Sequence, residues 1–251
     1  METSSEDLNL RLGLFGGSFD PVHLGHLKIA QSAKELFALD EVHFILTNVS
    51  PFKFQDKSKD QENAEARIQQ ECQRAEILKL ALEDYCNYHE DDENAENGVV
   101  QRSQELNFKL NLTELNRKAP SYTYQTVEEF KTVYPNAKLF WIMGGDSFSE
   151  LPKWKNVSYL IENLEFIVFR RKETGLNTEN LLESELFNRD DFIDLKKKLK
   201  VNFIENPYID VSSTLIRKSI LNSNDLNVLD GKLSNPSKGL IIENYRKRFR
   251  E

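Results

Sequence analysis

Gly16-Gly17-Ser18-Phe19-Asp20-Pro21-Val22-His23-Leu24-Gly25-His26 couples a paired-glycine turn to two histidines three residues apart. The residues before it, Leu10-Arg11-Leu12-Gly13-Leu14-Phe15, form a short apolar run suited to a buried strand. Those after it place Leu24, Leu27, Ala30, Ala33 and Phe37 at the spacing of one helical face. The stretch therefore lies between a first strand and a first helix. There, backbone N–H groups and the positive end of the helix converge on an anion, and paired glycines let a phosphate approach the main chain.

Outward from this point, strands and helices alternate. Glu41 to Thr47 reads as a buried strand leading into the loop Asn48-Val49-Ser50-Pro51-Phe52-Lys53, and Arg67 to Leu82 as a helix with Ile68, Cys72, Ala75, Leu78 and Leu82 on one stripe. The pattern dissolves from Asn87 to Glu105, which is polar, acidic and aperiodic and is expected to form a surface insertion. Period-two alternation at Phe108, Leu110 and Leu112 predicts a half-buried strand. A helix is expected after Ser121-Tyr122-Thr123, with Val127, Phe130 and Tyr134 inward, ended by Pro135-Asn136. Further strands are predicted at Lys138 to Met143, Glu165 to Phe169 and Val201 to Ile204, with helices from Ser212-Ser213-Thr214 and over Leu240 to Phe249. This order predicts an α/β fold with a doubly wound, mostly parallel sheet and ligands at the carboxyl ends of its strands. We take residues 1–251 as one domain carrying the acidic insertion at about 87–105.

Composition narrows the function classes. The chain is 39% hydrophobic with 16 Phe, enough to fill a core. The net charge of −8 is concentrated: Glu83, Asp84, Glu90, Asp91, Asp92, Glu93 and Glu96 fall between Leu80 and Gln101 with no Lys or Arg among them. The remainder is nearly balanced, which argues against a general nucleic-acid-binding face. The acidic N-terminus does not read as a signal peptide and no apolar run reaches the ~18 residues of a membrane span, so a cytoplasmic protein is expected. Cys72 and Cys86 have no metal-ligand spacing and are expected as thiols, and no protein metal ligands are assigned. The basic tail from Arg246 to Arg250 is expected to complement the dipole of the last helix.

His23-Leu24-Gly25-His26 matches the HxGH signature of nucleotidyltransferases, and with the preceding Gly-Gly-Ser-Phe-Asp-Pro it resembles the bacterial nicotinate-nucleotide adenylyltransferases. The resemblance extends in order. Ser50 to Lys53 is similar to that family's Pro-x-His-Lys loop, Ser121 to Thr126 to its Ser-Tyr-Thr segment, Ile142 to Phe148 to its Gly-Gly-Asp-Ser strand end, and Val211 to Arg217 to its Ser-Ser-Thr-x-Ile-Arg motif. It implies a Rossmann-like HxGH fold and transfer of AMP from ATP to nicotinate mononucleotide, giving deamido-NAD and pyrophosphate, with magnesium bridging the phosphates.

That reaction is an in-line displacement at the α-phosphorus between two polyanions, so it needs positioning and charge neutralisation rather than a covalent nucleophile. His23, His26, Lys53 and Arg217 are the candidate catalytic groups, as ring N–H donors and cations. Gly16, Gly17, Ser18, Phe19, Gly144, Asp146, Val211, Ser212 and Ser213 are the candidate ATP contacts, Asp146 toward the ribose and the serines toward the leaving phosphates. The resemblance implies that Trp154 stacks on the pyridine and that Thr123 and nearby amides face its carboxylate. Phe52 stands where the family has His, Gln125 where an acidic residue is common, and Lys155 where an aromatic residue often follows the Trp.

The rival readings are a pantetheine-phosphate adenylyltransferase, a dual-specificity enzyme taking the nicotinamide form as well, and a non-catalytic adenylate sensor. The Ser-Tyr-Thr segment and the Pro-x-Trp block Pro152-Lys153-Trp154 disfavour the first, and the full donor set disfavours the last. Expected partners are the two nucleotides, without nucleic acid or membrane and with self-association left open.

Overall fold

A computed structural model describes residues 10–48, 64–90, 106–117, 120–170, 182–205, 211–222 and 226–248. Six strands, β1 (Arg11–Gly17), β2 (Glu41–Leu46), β3 (Phe108–Asn111), β4 (Lys138–Gly144), β5 (Leu164–Arg170) and β6 (Val201–Glu205), form one sheet in the order β3-β2-β1-β4-β5-β6. Every pairing is parallel. This is the doubly wound Rossmann order, in which the chain reverses direction across the sheet between β1 and β4.

The helices among the described residues are α1 (Leu24–Leu36), α2 (Ala64–Glu90), α3 (Thr123–Val133), α4 (Gly145–Ser149), α5 (Val157–Asn163), α6 (Ile193–Lys198), α7 (Ser213–Asn222) and α8 (Asn235–Arg248). Two cores follow from the pleat. Phe15, Phe44, Phe140, Ile142 and Ile167 face one side, where they meet Leu27 and Ala30 of α1, Ile77 and Leu78 of α2, Ile216 of α7 and Ile241 of α8. Leu14, Ile45, Trp141, Phe166 and Val168 face the other, against Val127 and Phe130 of α3, Phe148 of α4 and Leu160 of α5. A strand buried on both faces has to be apolar at successive positions, and Leu-Phe-Trp-Ile-Met in β4 meets that demand.

Four expectations need correction. The helix read as ending at Leu82 runs to Glu90, so positions 87–90 belong to α2 rather than to an insertion, and 91–105 lie outside the described residues. Tyr85 extends it: buried on that face, its hydroxyl donates to Gln31 Oε1 at 2.6 Å and its ring lies parallel to Phe108. The third strand stops at Asn111, whose side-chain oxygen accepts the Thr113 N–H at 3.0 Å, leaving Leu112 exposed beyond it. The last helix begins at Asn235, five residues before Leu240, with Pro236 in its first turn. Finally, α4, α5 and α6 occupy segments in which no helix was expected.

Among the described residues no helix is long and apolar enough to cross a membrane. Cys72 is exposed and Cys86 half-buried, both as thiols.

Candidate active site

The sheet opens where the order reverses. The β1–β4 ladder ends at Phe15 opposite Ile142, whereas β1 continues beside β2 to Gly17 opposite Leu46, and β4 continues beside β5 to Gly144 opposite Phe169. The carboxyl ends of β1 and β4 therefore part, and the expected glycine doublet and Gly144 flank the resulting crevice. A Cβ added at Gly144 would meet no atom within 4 Å, so space is open there. Asp146 follows, exposed in the first turn of α4.

On the β1 side the glycines serve packing as well as approach. A Cβ on Gly16 would lie 2.8 Å from Trp141 Cζ2, and one on Gly17 3.0 Å from the Phe19 ring. Phe19 adopts a left-handed backbone conformation, φ 40°, which turns its ring inward against Phe15 and the His26 ring at centroid distances of 5.5 and 5.1 Å. Its side chain is thus part of the core, and only its main chain is available to a ligand, beside the exposed Ser18.

His23 is the N-cap of α1, and its backbone N–H donates to His26 Nδ1 at 3.2 Å. The two imidazoles stack at 3.7 Å. Because His26 Nδ1 accepts, the proton of its neutral ring sits on Nε2, which becomes the donor. Gly25 lets this turn close: a Cβ there would lie 2.9 Å from Val211 Cγ1 and 3.0 Å from His23 Nδ1. Gly25→Ala is therefore expected to displace either the histidine or the 211 segment, lowering stability by about 1–3 kcal/mol through overpacking. A thermal melt checks this; an unchanged midpoint would mean that the contact relaxes at no cost.

The 211–217 segment sits directly beneath the same turn. Ser213 Oγ donates to the Pro21 carbonyl at 2.9 Å, and Ser212 Oγ caps α7 by accepting the Leu215 N–H at 3.2 Å. Arg217 donates from Nη1 to the Asp20 carbonyl and from Nη2 to Thr214 Oγ1, and its guanidinium lies 3.8 Å from the Asp20 carboxylate. Val211 is buried against Gly25. His23, His26, Ser212, Ser213 and Arg217 are thus gathered beyond the carboxyl end of the central strand β1. Lys53 and Phe52 lie outside the described residues.

The second wall is formed by the Trp154 loop and the Ser-Tyr-Thr segment. Trp154 meets Trp141 edge-on at 6.1 Å, and Trp141 in turn fills the space beside Gly16. Lys155 Nζ lies 4.4 Å from the Tyr122 ring centroid, a cation–π contact that ties this loop to the start of α3, where Thr123 is half-buried. Gln125 Oε1 accepts the Tyr122 N–H at 3.2 Å, so the glutamine in place of an acid performs the capping itself.

Sequence reasoning did not find several supporting residues. Glu114, 4% exposed, accepts from Thr126 Oγ1 at 2.8 Å, while Arg117 donates to Thr126 and pairs with Glu129, bracing α3 from below. Burial holds the Glu114 carboxyl above its ordinary range. Arg74 of α2 donates from Nη1 to the carbonyls of Ser18 at 2.8 Å and Thr47 at 3.1 Å, bridging the ends of β1 and β2. Tyr245 and Arg248 of α8 both bond the Asp20 carboxylate, Arg248 at 3.1 Å. The Arg248 guanidinium therefore has a specific partner, beyond the dipole interaction expected for the basic tail. None of these pairings has a local spacing signature.

The family described as Cytidylyltransferase-like matches residues 14–219. A protein of Methylacidiphilum infernorum named "Probable nicotinate-nucleotide adenylyltransferase" is 33% identical over 212 residues, 84% of this chain and 81% of its own length. One of the same name from Clostridium tetani is 31% identical over 85% of this chain and 88% of its own. Among solved structures, the Plasmodium falciparum nicotinic acid mononucleotide adenylyltransferase complexed with NaAD superposes with a TM-score of 0.63 at 16% identity, covering 94% of this chain and 98% of that one. At that identity the likeness speaks for the fold.

Proposed function

The chain belongs to the cytidylyltransferase-like family, among its nicotinate-nucleotide adenylyltransferases, and on that premise we propose that it transfers AMP from ATP to nicotinate mononucleotide, forming deamido-NAD and pyrophosphate. The observation that carries the reading is the parting of β1 from β4, with the two stacked histidines and the 211–217 segment at its rim. A phosphate oxygen of the mononucleotide attacks the α-phosphorus of ATP, that P–O bond forms as the bond to pyrophosphate breaks, and negative charge grows on the bridging oxygen of the leaving group.

In this reading His26 Nε2–H and the His23 ring stabilise the charge that develops on the phosphates, and Arg217 and Lys53 supply fixed and flexible positive charge. The main chain of 16–19, with Val211, Ser212 and Ser213, lines the triphosphate path, and Gly144 and Asp146 receive the adenosine ribose. Trp154 stacks on the pyridine ring, and Thr123 with neighbouring N–H groups receives the nicotinate carboxylate.

Among the described residues no group of three or more His, Cys, Asp or Glu side chains converges as a metal site. The donor set here is cationic and hydroxylic, which fits a magnesium ion carried by the triphosphate rather than one caged by the protein. Bound there, the ion supplies charge neutralisation to the phosphates. We further read residues 1–251 as one nucleotidyltransferase unit acting on small nucleotides in the cytoplasm, with what remains of the acidic stretch, 91–105, as an insertion within it. The test is pyrophosphate release by the purified chain with ATP, magnesium and nicotinate mononucleotide. Release that requires the mononucleotide supports the reading, and release that is indifferent to it sinks the reading.

A further inference from the structure

Asp20 is the most heavily bonded side chain of the loop between β1 and α1, and its partners come from the far end of the chain. Tyr245 Oη donates to Oδ1, and Arg248 Nη1 lies 3.1 Å from Oδ1 and 3.4 Å from Oδ2. On the opposite side Arg217 donates to the Asp20 carbonyl and pairs with the carboxylate at 3.8 Å. The same C-terminal region grips the loop a second time: the Leu24 N–H, in the first turn of α1, donates to the Lys232 carbonyl at 2.9 Å. Tyr245 is 3% exposed and packs in the core shared by α1, α2 and α8, so it is held rigidly from behind.

We propose that α8 is a positioning element for the reaction: through Asp20, Tyr245 and Arg248 fix both the loop bearing Ser18 to His23 and the guanidinium of Arg217. The claim rests on the functional reading above and deepens it by naming residues that touch neither nucleotide. The physical reason is a competition. Arg217 has to be aimed at phosphates, yet an adjacent carboxylate would otherwise capture it in a bidentate pair. Tyr245 and Arg248 hold Oδ1, with Arg248 also 3.4 Å from Oδ2, so Arg217 keeps only a 3.8 Å ion-pair contact with Oδ2 while its hydrogen bonds go to the Asp20 carbonyl and Thr214. Loss of either α8 contact lets Asp20 rotate toward Arg217 and withdraws that charge from the crevice. Such a displacement acts on the step in which charge develops more than on ground-state binding.

The test uses the full chain with Tyr245→Phe, which removes one hydroxyl, together with Arg248→Ala, Arg248→Lys and Asp20→Asn. At a temperature where near-ultraviolet circular dichroism shows every variant folded, Tyr245→Phe and Arg248→Ala should each lower kcat about tenfold while KM for both nucleotides stays within about threefold. Arg248→Lys, which can still reach Oδ1 with one donor, should recover most of the loss. Tyr245→Phe combined with Asp20→Asn should be no slower than Asp20→Asn, because both act through one carboxylate. A kcat for Tyr245→Phe within twofold of the parent, or losses that multiply in the double variant, would overturn the proposal. Amide hydrogen exchange over residues 18–24 gives a readout independent of turnover: it should quicken in Tyr245→Phe while β4 stays protected. If the parent chain turned over no mononucleotide, the functional reading would fail separately, and unchanged exchange in this variant would then overturn the positioning claim on its own.

Discussion

Replacing His26 by alanine is expected to lower kcat at least about a hundredfold, the loss typical when a preorganised donor to a developing oxyanion is removed, with little change in the mononucleotide KM. In the proposed reaction the imidazole has two jobs that this change removes together. Its Nδ1 accepts the N-cap N–H of α1, and that bond leaves the ring proton on Nε2. His26→Gln separates them, since a glutamine at the third helical position can accept the N-cap N–H in the manner of a capping box. The glutamine variant should therefore melt near the parent temperature yet remain slow. A glutamine variant with parental kcat would reduce His26 to a cap, and an alanine variant altered only in KM would make it a ground-state binding group.

The second large effect concerns the choice of mononucleotide. If main-chain donors at the start of α3 face the pyridine substituent, a carboxylate satisfies them, whereas a carboxamide would turn its NH₂ toward donors. Nicotinate mononucleotide should then be favoured over the nicotinamide form by at least ~100-fold in kcat/KM, or ~3 kcal/mol of mismatched polar contacts. The Lys155 ammonium over Tyr122 adds positive charge on the same side of the crevice. Trp154→Ala should weaken use of either mononucleotide while leaving ATP affinity, measured without mononucleotide, nearly unchanged. Equal kcat/KM for the two mononucleotides would mean a dual-specificity enzyme on the same scaffold.

The parts of the architecture written in local periodicity were legible in the sequence. All six strands were visible: central ones such as Leu139 to Met143 and Phe166 to Phe169 because a strand covered on both faces must be a short apolar run, and β3 because Phe108 and Leu110 alternate with polar residues. The crevice was legible for a related reason: a glycine pair between an apolar run and a helical stripe marks the turn above the switch point. Short helices were not. The segment of α4 read as a turn because Gly145-Asp146-Ser147 is turn chemistry, whereas the burial of Phe148 in the sheet's second core favours the helix. The last turns of α2 were missed because, among the described side chains there, burial rests on Tyr85 and the half-buried Cys86, too few to set up a stripe.

The site divided along the same line. His23, His26, Ser212, Ser213 and Arg217 fall within two compact motifs, and the fold brings those motifs together through contacts such as Ser213 with Pro21, 192 positions apart. Asp20 stood in plain view within the first motif, but its partners at 217, 245 and 248 are chosen by tertiary packing, and no spacing rule connects them. The serines illustrate how one residue serves two ends. Ser212 caps α7 as any N-cap serine would, and the capped helix start it creates is the feature that would receive a phosphate.

The most direct measurement of the central claim follows the phosphorus atoms. ATP labelled at the α-phosphorus, and separately at the γ-phosphorus, is incubated with the chain, magnesium and nicotinate mononucleotide, and the products are separated. Transfer of AMP predicts the α label in deamido-NAD and the γ label in pyrophosphate, in equal amounts. Appearance of the γ label on the mononucleotide or as inorganic phosphate, with no α label in a dinucleotide, would contradict it.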